Sequence, residues 1–391
     1  VAQSTRLSVE ECATEGVVDG FTVTATGAQA SSSDTVTAGG FYGRVSSAST
    51  VDSHVRNLAS VTAPQEDGAA GGFAGLSTTG GLASAASDTD EGSGILEDIL
   101  GHEGLLNVND LLGAVPYLVP AYQASDVVFI EAGGSVTGDC AGGFAGSFES
   151  GNVNVFSEDE ADLAALADAS PWAVKNLAEV QGRTYAGGFG GRVVSGSLAQ
   201  AGGGLSLLDG SLNLNIAQLL DVVSAYVPVI NQAGVQSAAA TQGFVVSATE
   251  LDENDSASGS AGGFAGYACG AQISLCDVDE LRSTAVSAPA DLETADEAEA
   301  QSYFDGSSSY AVSAPRYAGG FVGYLNIGSA ASLGDGLKLF NLVQLSDLTD
   351  ALNVVASTVE HSDVEGAAGG FAVLANGQDD TGVIGHAGGF A

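Results

Sequence analysis

Four cysteines, four histidines and 48 acidic residues are the side chains in this 391-residue sequence best suited to chemistry, and their spacing decides which chemistry is open to them. Cys12, Cys140, Cys269 and Cys276 form no Cys-x-x-Cys pair, and His54, His102, His361 and His386 lie far from them along the chain, so a zinc site is not indicated. An even cysteine count in a chain that reads as secreted favours disulfides over buried thiols. Cys269 and Cys276 are separated by six residues across an expected turn at 270–272 and are the favoured pair, which leaves Cys12 with Cys140 by elimination. Oxygen donors cluster at Asp252-Glu253-Asn254-Asp255, at Asp277, Asp279 and Glu280, and at Asn376, Gln378, Asp379 and Asp380. Such clusters suit calcium, but none matches an EF-hand loop, and charge runs in loops are usually solvated. A loop calcium is therefore the one metal to look for, and no organic cofactor is expected. Nucleophile elbows, dinucleotide fingerprints, phosphate loops and His-Glu-x-x-His helices do not occur in the sequence.

The charge balance excludes further classes. A net charge of −39 arises from 48 acidic against 9 basic residues. Arg6, Arg44, Arg56, Lys175, Arg183, Arg192, Arg282, Arg316 and Lys338 are scattered singly. Nucleic acid and anionic membrane surfaces both need clustered cations, so neither is an expected partner. Hydrophobic content of 45% excludes wholesale disorder, and 56 Gly with 7 Pro excludes a collagen or a proline-rich stalk. The acidity then reads as a solvated exterior that keeps a repetitive β protein soluble. No stretch is apolar for long enough to span a membrane as a helix.

What must position any functional group is a repeat. Ala-Gly-Gly-Phe begins at Ala38, Ala70, Ala141, Ala186, Ala261, Ala318, Ala368 and Ala387. Read as alternating strands, Phe41, Phe73, Phe144, Phe189, Phe264, Phe321, Phe371 and Phe390 share one face with Val45, Phe148, Val193, Ala268 and Leu325. That face is the core face, and the eight rings are expected to form an inward ladder. Tyr42, Arg44, Arg192, Tyr267 and Tyr324 take the opposite, wet face. The paired glycines offer positive φ at a corner and close approach between neighbouring rungs. A turn and a second strand follow in several copies, as in Gly151-Asn152-Val153-Asn154-Val155, Gly196-Ser197-Leu198 and Gly270-Ala271-Gln272-Ile273-Ser274-Leu275.

The combined pattern, Gly-Gly-Phe-x-Gly, a short gap, then Gly-x-aliphatic, resembles the GLUG-type repeats of bacterial surface and secreted proteins, with Phe where that family usually has Leu or Ile. The resemblance implies an extracellular, often adhesin-like repeat protein and brings no catalytic residues with it.

Successive motif starts differ by 32, 71, 45, 75, 57, 50 and 19 residues, so 19 sets the shortest rung and the other rungs carry insertions. Short and long intervals alternate until the last, which marks a two-rung super-repeat starting at Ala38, Ala141 and Ala261. Residues 1–391 thus form one continuous all-β parallel solenoid, coiled right-handedly by the general bias of parallel crossovers. Helical insertions are expected at about 95–125, 205–235 and 335–360, where apolar residues recur at helical spacing. The first two match one another: Leu106-Asn107-Val108-Asn109 with Tyr117 and Pro120 parallels Leu212-Asn213-Leu214-Asn215 with Tyr226 and Pro228. A capping box at Ser157 and Glu160 predicts a shorter helix over Leu163, Leu166 and Ala167.

The function this implies is a non-catalytic surface scaffold, an adhesive stalk or a filament subunit. Its partners would be neighbouring copies or adjoining repeats docked head to tail, or a cell-surface glycan or protein. The alternative is a carbohydrate-active β-helix enzyme, a polysaccharide lyase or hydrolase. A groove that gathers two or three carboxylates with a basic residue would favour the enzyme, and a bare flank the scaffold. The head-to-tail expectation rests on Ala387-Gly388-Gly389-Phe390-Ala391, which stops inside its own motif, and on Leu7 and Val9 ahead of Cys12, which supply the alternation that other copies continue with.

Overall fold

Segments rich in glycine, alanine and β-branched residues, broken at short intervals by turns, lack the length for helices and suit short strands. The computed structural model is accordingly all-β. It describes residues 3–4, 8–10, 13–14, 22–27, 35–46, 50–52, 56–57, 60–79, 119–123, 130–132, 135–153, 174–176, 179–195, 227–236, 243–282, 310–327, 356–367, 370–379, 382–383 and 385–391. Among these described residues there is no helix.

The strands make three seven-stranded parallel sheets and one twelve-stranded parallel sheet, besides an antiparallel pair, Gln378–Asp379 with Gly382–Val383. The chain visits the four large sheets in a fixed order. One passage runs from Ala145–Phe148 in the first sheet to Asn152–Val153 in the second and Val174–Asn176 in the third. It continues as Glu179–Gly187 in the twelve-stranded fourth and re-enters the first as Gly190–Val194. Each strand pairs with its counterparts one passage before and after, as Ala145–Phe148 does with Ala74–Thr78 and Gly190–Val194. Seven strands in each of the first three sheets correspond to seven passages, a topology consistent with a parallel β-helix. At a strand spacing of about 4.8 Å, seven passages stack to roughly 34 Å.

The motif phenylalanines turn the corner from the fourth sheet into the first. Phe73, Phe144, Phe189, Phe264 and Phe321 are fully buried, and Phe41 nearly so. Their rings stack in sequence: Phe41 on Phe73 at 5.5 Å, Phe73 on Phe144 at 5.0 Å, Phe144 on Phe189 at 4.8 Å, and Phe189, Phe264, Phe321 and Phe390 at 4.9 Å each. The backbone follows the same column, since each Phe N–H donates to the carbonyl of the Phe one passage on, at 2.8–3.0 Å. One contiguous core surrounds the stack, with Val61, Val136, Val180, Val246 and Val312 from the fourth sheet and Tyr122, Val153, Ile230 and Ile273 from the second.

Phe371 does not join the column. Tyr317–Gly319 pairs instead with His386–Gly388, so the copy at Ala387, not the one at Ala368, is the seventh corner. Val373–Ala375 pairs with Val312–Ala314, and counting back through Val246 puts Phe371 level with Tyr310 and Phe244, at the entry to the fourth sheet. The 19-residue spacing is therefore not a rung; dropping Ala368 leaves a last interval of 387 − 318 = 69 residues, and the alternation of short and long intervals then runs to the end. Phe390 is 39% exposed, with Phe321 on one face.

Two further expectations need correction. Tyr42 is fully buried, not on the wet face. The residue after each Phe still points inward, as do Ala74, Ala145 and Ala265, because the chain is still rounding the corner and alternation restarts only after the next glycine. The motif glycines also do not use positive φ, which falls instead at Gly151, Gly243, Gly259 and Gly270. What they supply is space. A Cβ on Gly187 would collide with the carbonyl oxygen of Gly190, and one on Gly263 with that of Gly320 in the next passage. A Cβ on Gly191 would lie 2.8 Å from the backbone nitrogen and oxygen of Ala141 in the passage before.

The expected helical insertions lie largely outside the described residues, as does the capping box at Ser157. Where their ranges are described they contain strands and no helix: Ala121–Gln123, Val229–Asn231, Gly234–Gln236 and Thr358–Glu360. Pro120 and Pro228 end the preceding segments by a shared device. Each offers its carbonyl to the next strand of the second sheet, to Asn152 N–H and Gln272 N–H respectively, both at 2.9 Å. The three segments with the expected helical insertions leave at one corner, between the first and second sheets, connecting Ala74–Thr78 to Ala121–Gln123, Gly190–Val194 to Val229–Asn231 and Val322–Asn326 to Thr358–Glu360.

Truncating a ring inside the column opens a cavity that two stacked neighbours cannot fill. Phe189→Ala should therefore cost about 3 to 5 kcal/mol in denaturant unfolding. Phe390→Ala, at a ring stacked on one side, should cost about 1 kcal/mol. Equal losses at the two positions would show that the stack is not what stabilises the corner.

Candidate functional site

Outside the corner, the residue before each motif Ala faces away from the core, and so does the residue three after each Phe. The first row runs in register through Thr37, Ala69, Cys140, Tyr185, Ser260, Tyr317 and His386, and the second through Arg44, Leu76, Ser147, Arg192, Tyr267 and Tyr324. The rows approach one another across the glycines: Tyr185 lies 5.9 Å from Tyr267, Tyr317 stacks on Tyr324 at 4.4 Å, and Tyr317 on His386 at 5.6 Å.

Two loops rise beside this double row and enclose a cavity of about 380 Å³. Loop 64–68 joins Ser60–Ala63 to Ala69–Gly71 in the second passage, and loop 249–259 joins Val245–Ala248 to Ser260–Gly262 in the fifth. Three strand spacings, about 14 Å, separate the passages that carry them. Asp139, Cys140, Arg183, Thr184, Tyr185 and Arg192 line the cavity between the loops.

Asp139 organises the floor. Its carboxylate accepts from Asp67 N–H at 2.9 Å, from Arg183 Nε at 3.1 Å and from the Thr184 hydroxyl at 2.9 Å, so a 6%-exposed charge is fully partnered. Arg183 also approaches Glu250 at 3.6 Å. Asp255 closes the second loop onto the floor: one oxygen accepts from the Tyr185 hydroxyl, the other from Ala257 N–H at 3.0 Å, and its backbone carbonyl accepts from Arg316 at 3.0 Å. Burial, and then the bond to Asp255, raise the Tyr185 phenol well above its ordinary range.

Arg192 differs from its neighbours. Its guanidinium lies over the Tyr185 ring, 5.4 Å from the centroid, yet it makes no hydrogen bond or ion pair among the described residues, and its Nε is buried without an acceptor. Burial pulls the Arg192 pKa down, but charge interactions with Cys140, Tyr185, Glu149 and Asp255 outweigh it, and the net shift is upward. On the walls, Glu66 and Glu253 make no hydrogen bond among the described residues. The site therefore offers donors from its floor and acceptors from its sides.

The expected disulfide between Cys269 and Cys276 is absent: both are free thiols, as is Cys140, and Cys12 lies outside the described residues. Gly270 turns the chain at a φ of 63°, and Gln272–Ser274 crosses the second sheet before Cys276, which the next corner aims into the core. The Cys276 Sγ lies 3.5 Å from the Ile230 carbonyl and 3.2 Å from that of Ser274. Desolvation pushes the thiols of Cys140 and Cys276 up to about 12, Arg192 pulling the former partly back.

The expected calcium clusters have other local roles. Asp252 accepts from Asn254 N–H at 2.9 Å and so shapes its own loop. Gln378 and Asp379 lie in the antiparallel pair, and Asp380 is outside the described residues. Asp277, Asp279 and Glu280 lie on the third sheet, where Asp277 stands opposite Asp363. Among the described residues no group of three or more His, Cys, Asp or Glu side chains is placed to hold a metal ion.

Sequence reasoning missed the groove. It treated the nine cations as scattered, whereas Arg183, Arg192 and Arg316 gather around one loop. The available signal was Arg192 itself, which recurs three residues after Phe189 as Arg44 does after Phe41. Comparison with known proteins found no matching family model, curated protein or solved structure.

Two outcomes follow. Under native conditions a thiol reagent should label Cys269 quickly, Cys140 more slowly at the floor of the groove, and Cys276 only on unfolding; immediate labelling of Cys276 would contradict the burial described. Desolvation, helped by Asp277, Glu365, Glu280 and Asp363, raises the Asp279 carboxyl to about 6. Its folded form thus binds a proton more tightly than its unfolded form, so the stability it contributes is complete below the unfolded value and is lost as pH rises through about 6. Asp279→Asn should remove that loss, leaving the variant more stable than the wild type at pH 8 by about 1 kcal/mol after allowance for its half-exposed position. Melting curves at pH 4 and pH 8 give the comparison, and a variant with the wild-type pH dependence would exclude Asp279 as the source.

Proposed function

We propose that this chain is a non-catalytic scaffold of the bacterial cell surface: a right-handed parallel β-solenoid, helical in its long insertions, that serves as an adhesive stalk or a filament-forming repeat protein. The observation that carries the reading is the uninterrupted column from Phe41 through Phe73, Phe144, Phe189, Phe264 and Phe321 to Phe390, which couples ring stacking to a continuous backbone ladder across the passages. A body whose every layer is held to the next in this way suits load-bearing or display. The likeness of the corner motif to GLUG-type repeats supports an extracellular setting, and the acid-rich composition supports a soluble exterior. Adjoining repeats or further copies, stacking head to tail, are the proposed structural partners, with a surface glycan or protein as ligand.

The second reading, a carbohydrate-active enzyme, is favoured by one specific observation: the groove does gather carboxylates around basic residues. Against it, the floor carboxylate of Asp139 is occupied by three donors from the chain itself, and that of Asp255 by Tyr185 and Ala257. Neither is free to trade a proton with a substrate. On the scaffold reading, incubation with neutral and acidic polysaccharides yields no new reducing ends and no unsaturated uronate absorbance. Turnover that is lost in Asp139→Asn or Glu253→Gln would overturn it in favour of the enzyme.

A further inference from the structure

We infer that the groove between loops 64–68 and 249–259 is a binding site for a neutral oligosaccharide, with Arg192 as its floor donor and Glu66 and Glu253 as its wall acceptors. The inference rests on the surface-scaffold reading and deepens it by naming the class of ligand.

Three observations converge. First, Arg192 is a partly buried cation that lines the cavity and makes no hydrogen bond or ion pair among the described residues; its Nε is shut away from water, so the other N–H groups of the guanidinium are the donors it holds out for a ligand. Second, the lining is mixed along its length. Besides Arg192, the floor presents Arg183, one-third exposed, while the walls bring Glu66, Asp67, Glu250, Asp252, Glu253 and Asp255. Third, the cavity of about 380 Å³ lies between loops three passages apart, so the long axis of the groove runs along the stack. A span of about 14 Å accommodates roughly three sugar rings.

Charge selects among ligands for such a lining. A polyanion would meet six wall carboxylates and be repelled. A polycation would suit the walls but would bring like charge against Arg192 and Arg183. A hydroxyl group is donor and acceptor at once, and vicinal hydroxyls can accept from the guanidinium fork while donating to a carboxylate. A neutral saccharide therefore satisfies floor and walls together with no net charge to desolvate. The neighbouring Tyr267, Tyr317 and Tyr324 do not enlarge this reading, because their faces stack on one another.

The test uses the full chain and ligand-observed NMR with three neutral trisaccharides, cellotriose, laminaritriose and maltotriose, beside trigalacturonate and trilysine. At least one neutral trisaccharide should bind, and Arg192→Gln should weaken it by about tenfold or more. Arg192→Lys keeps the charge but loses the fork and should also weaken binding, which guards against a folding defect in the first variant; unchanged melting curves complete that control. Glu253→Gln, on an exposed loop, should weaken binding as well. Failure of all three neutral sugars to bind, or binding indifferent to Arg192, overturns the inference. Trilysine binding that needs Glu66 and Glu253 but not Arg192 also overturns it, by making the groove a cation site. Scaffold and ligand class fail separately: a trisaccharide that binds and is then cleaved overturns the non-catalytic reading and keeps the ligand class, whereas absence of binding leaves the scaffold untouched.

Discussion

Rings and backbone repeat at the same distance in this protein, and that coincidence governs the rest of the structure. Parallel strands lie about 4.8 Å apart, and a ring attached to the same position of each strand must repeat at that interval. The Phe centroids fall at 4.8–5.5 Å with interplanar angles of 1° to 21°. Parallel rings in van der Waals contact would be about 3.5 Å apart face to face, so rings at this interval must be offset, which is the stacking aromatic rings prefer. A leucine at this position would fill the volume without this directional match. For the rings to sit over one another the corner must be equally tight in every passage, and that requirement falls on the glycines. The carbonyl three residues after each first glycine occupies the space a Cβ would need, as at Gly142, Gly187 and Gly319.

This constraint also explains where the chain tolerates length. The corner from the fourth sheet into the first is fixed by Ala-Gly-Gly-Phe and carries no insertion in any described passage. Length is taken up at the other corners: after Val153 between the second and third sheets, after Leu281 between the third and fourth, and after Thr78, Val194 and Asn326 between the first and second. The last three belong to alternate passages, so each passage with a long excursion there is followed by one that crosses directly, as from Ala145–Phe148 to Asn152–Val153 and from Ala265–Cys269 to Gln272–Ser274.

The parts of this architecture legible in the sequence are those encoded locally. Ala-Gly-Gly-Phe carries its own geometry within a few residues, so the all-β class, the parallel stacking and the inward Phe could all be expected from it. Local identity was also what misled. Ala368-Gly-Gly-Phe371 has the same four residues as the corners, but strand pairing gives the corner to Ala387; the local difference is Val373, two residues after Phe371, where the six earlier corners have Gly. Strict alternation misplaced Tyr42 because a corner suspends the two-residue period. Proximity in sequence suggested Cys269 with Cys276, yet a strand of the second sheet lies between them and one of the two thiols faces the core. The groove was hidden for the opposite reason. Its defining bonds join residues 44 to 72 positions apart, Arg183 to Asp139, Tyr185 to Asp255 and Asp67 to Asp139, and no local pattern encodes such pairs.

Stacking identical positions has an electrostatic cost that a strongly acidic chain must manage. A carboxylate repeated at one outward position would form a column of like charges about 4.8 Å apart. The two outward rows beside the Phe corner contain none: Thr37, Ala69, Cys140, Tyr185, Ser260, Tyr317 and His386 in one, Arg44, Leu76, Ser147, Arg192, Tyr267 and Tyr324 in the other. In the third sheet the register sets Glu131 between Arg56 and Lys175, alternating the sign. Like charges do meet at Glu10 with Asp52 and at Asp277 with Asp363, and it is beside the latter pair that Asp279 is driven up to about 6. Much of the remaining acidity beside the corner is displaced into connections such as Glu66 and Asp67 or the run from Glu250 to Asp255. The groove is a consequence of that displacement. Rows kept free of carboxylates bring Cys140, Tyr185 and Arg192 to its floor, where the one carboxylate, Asp139, is fully partnered, and the loops that receive the carboxylates form its walls.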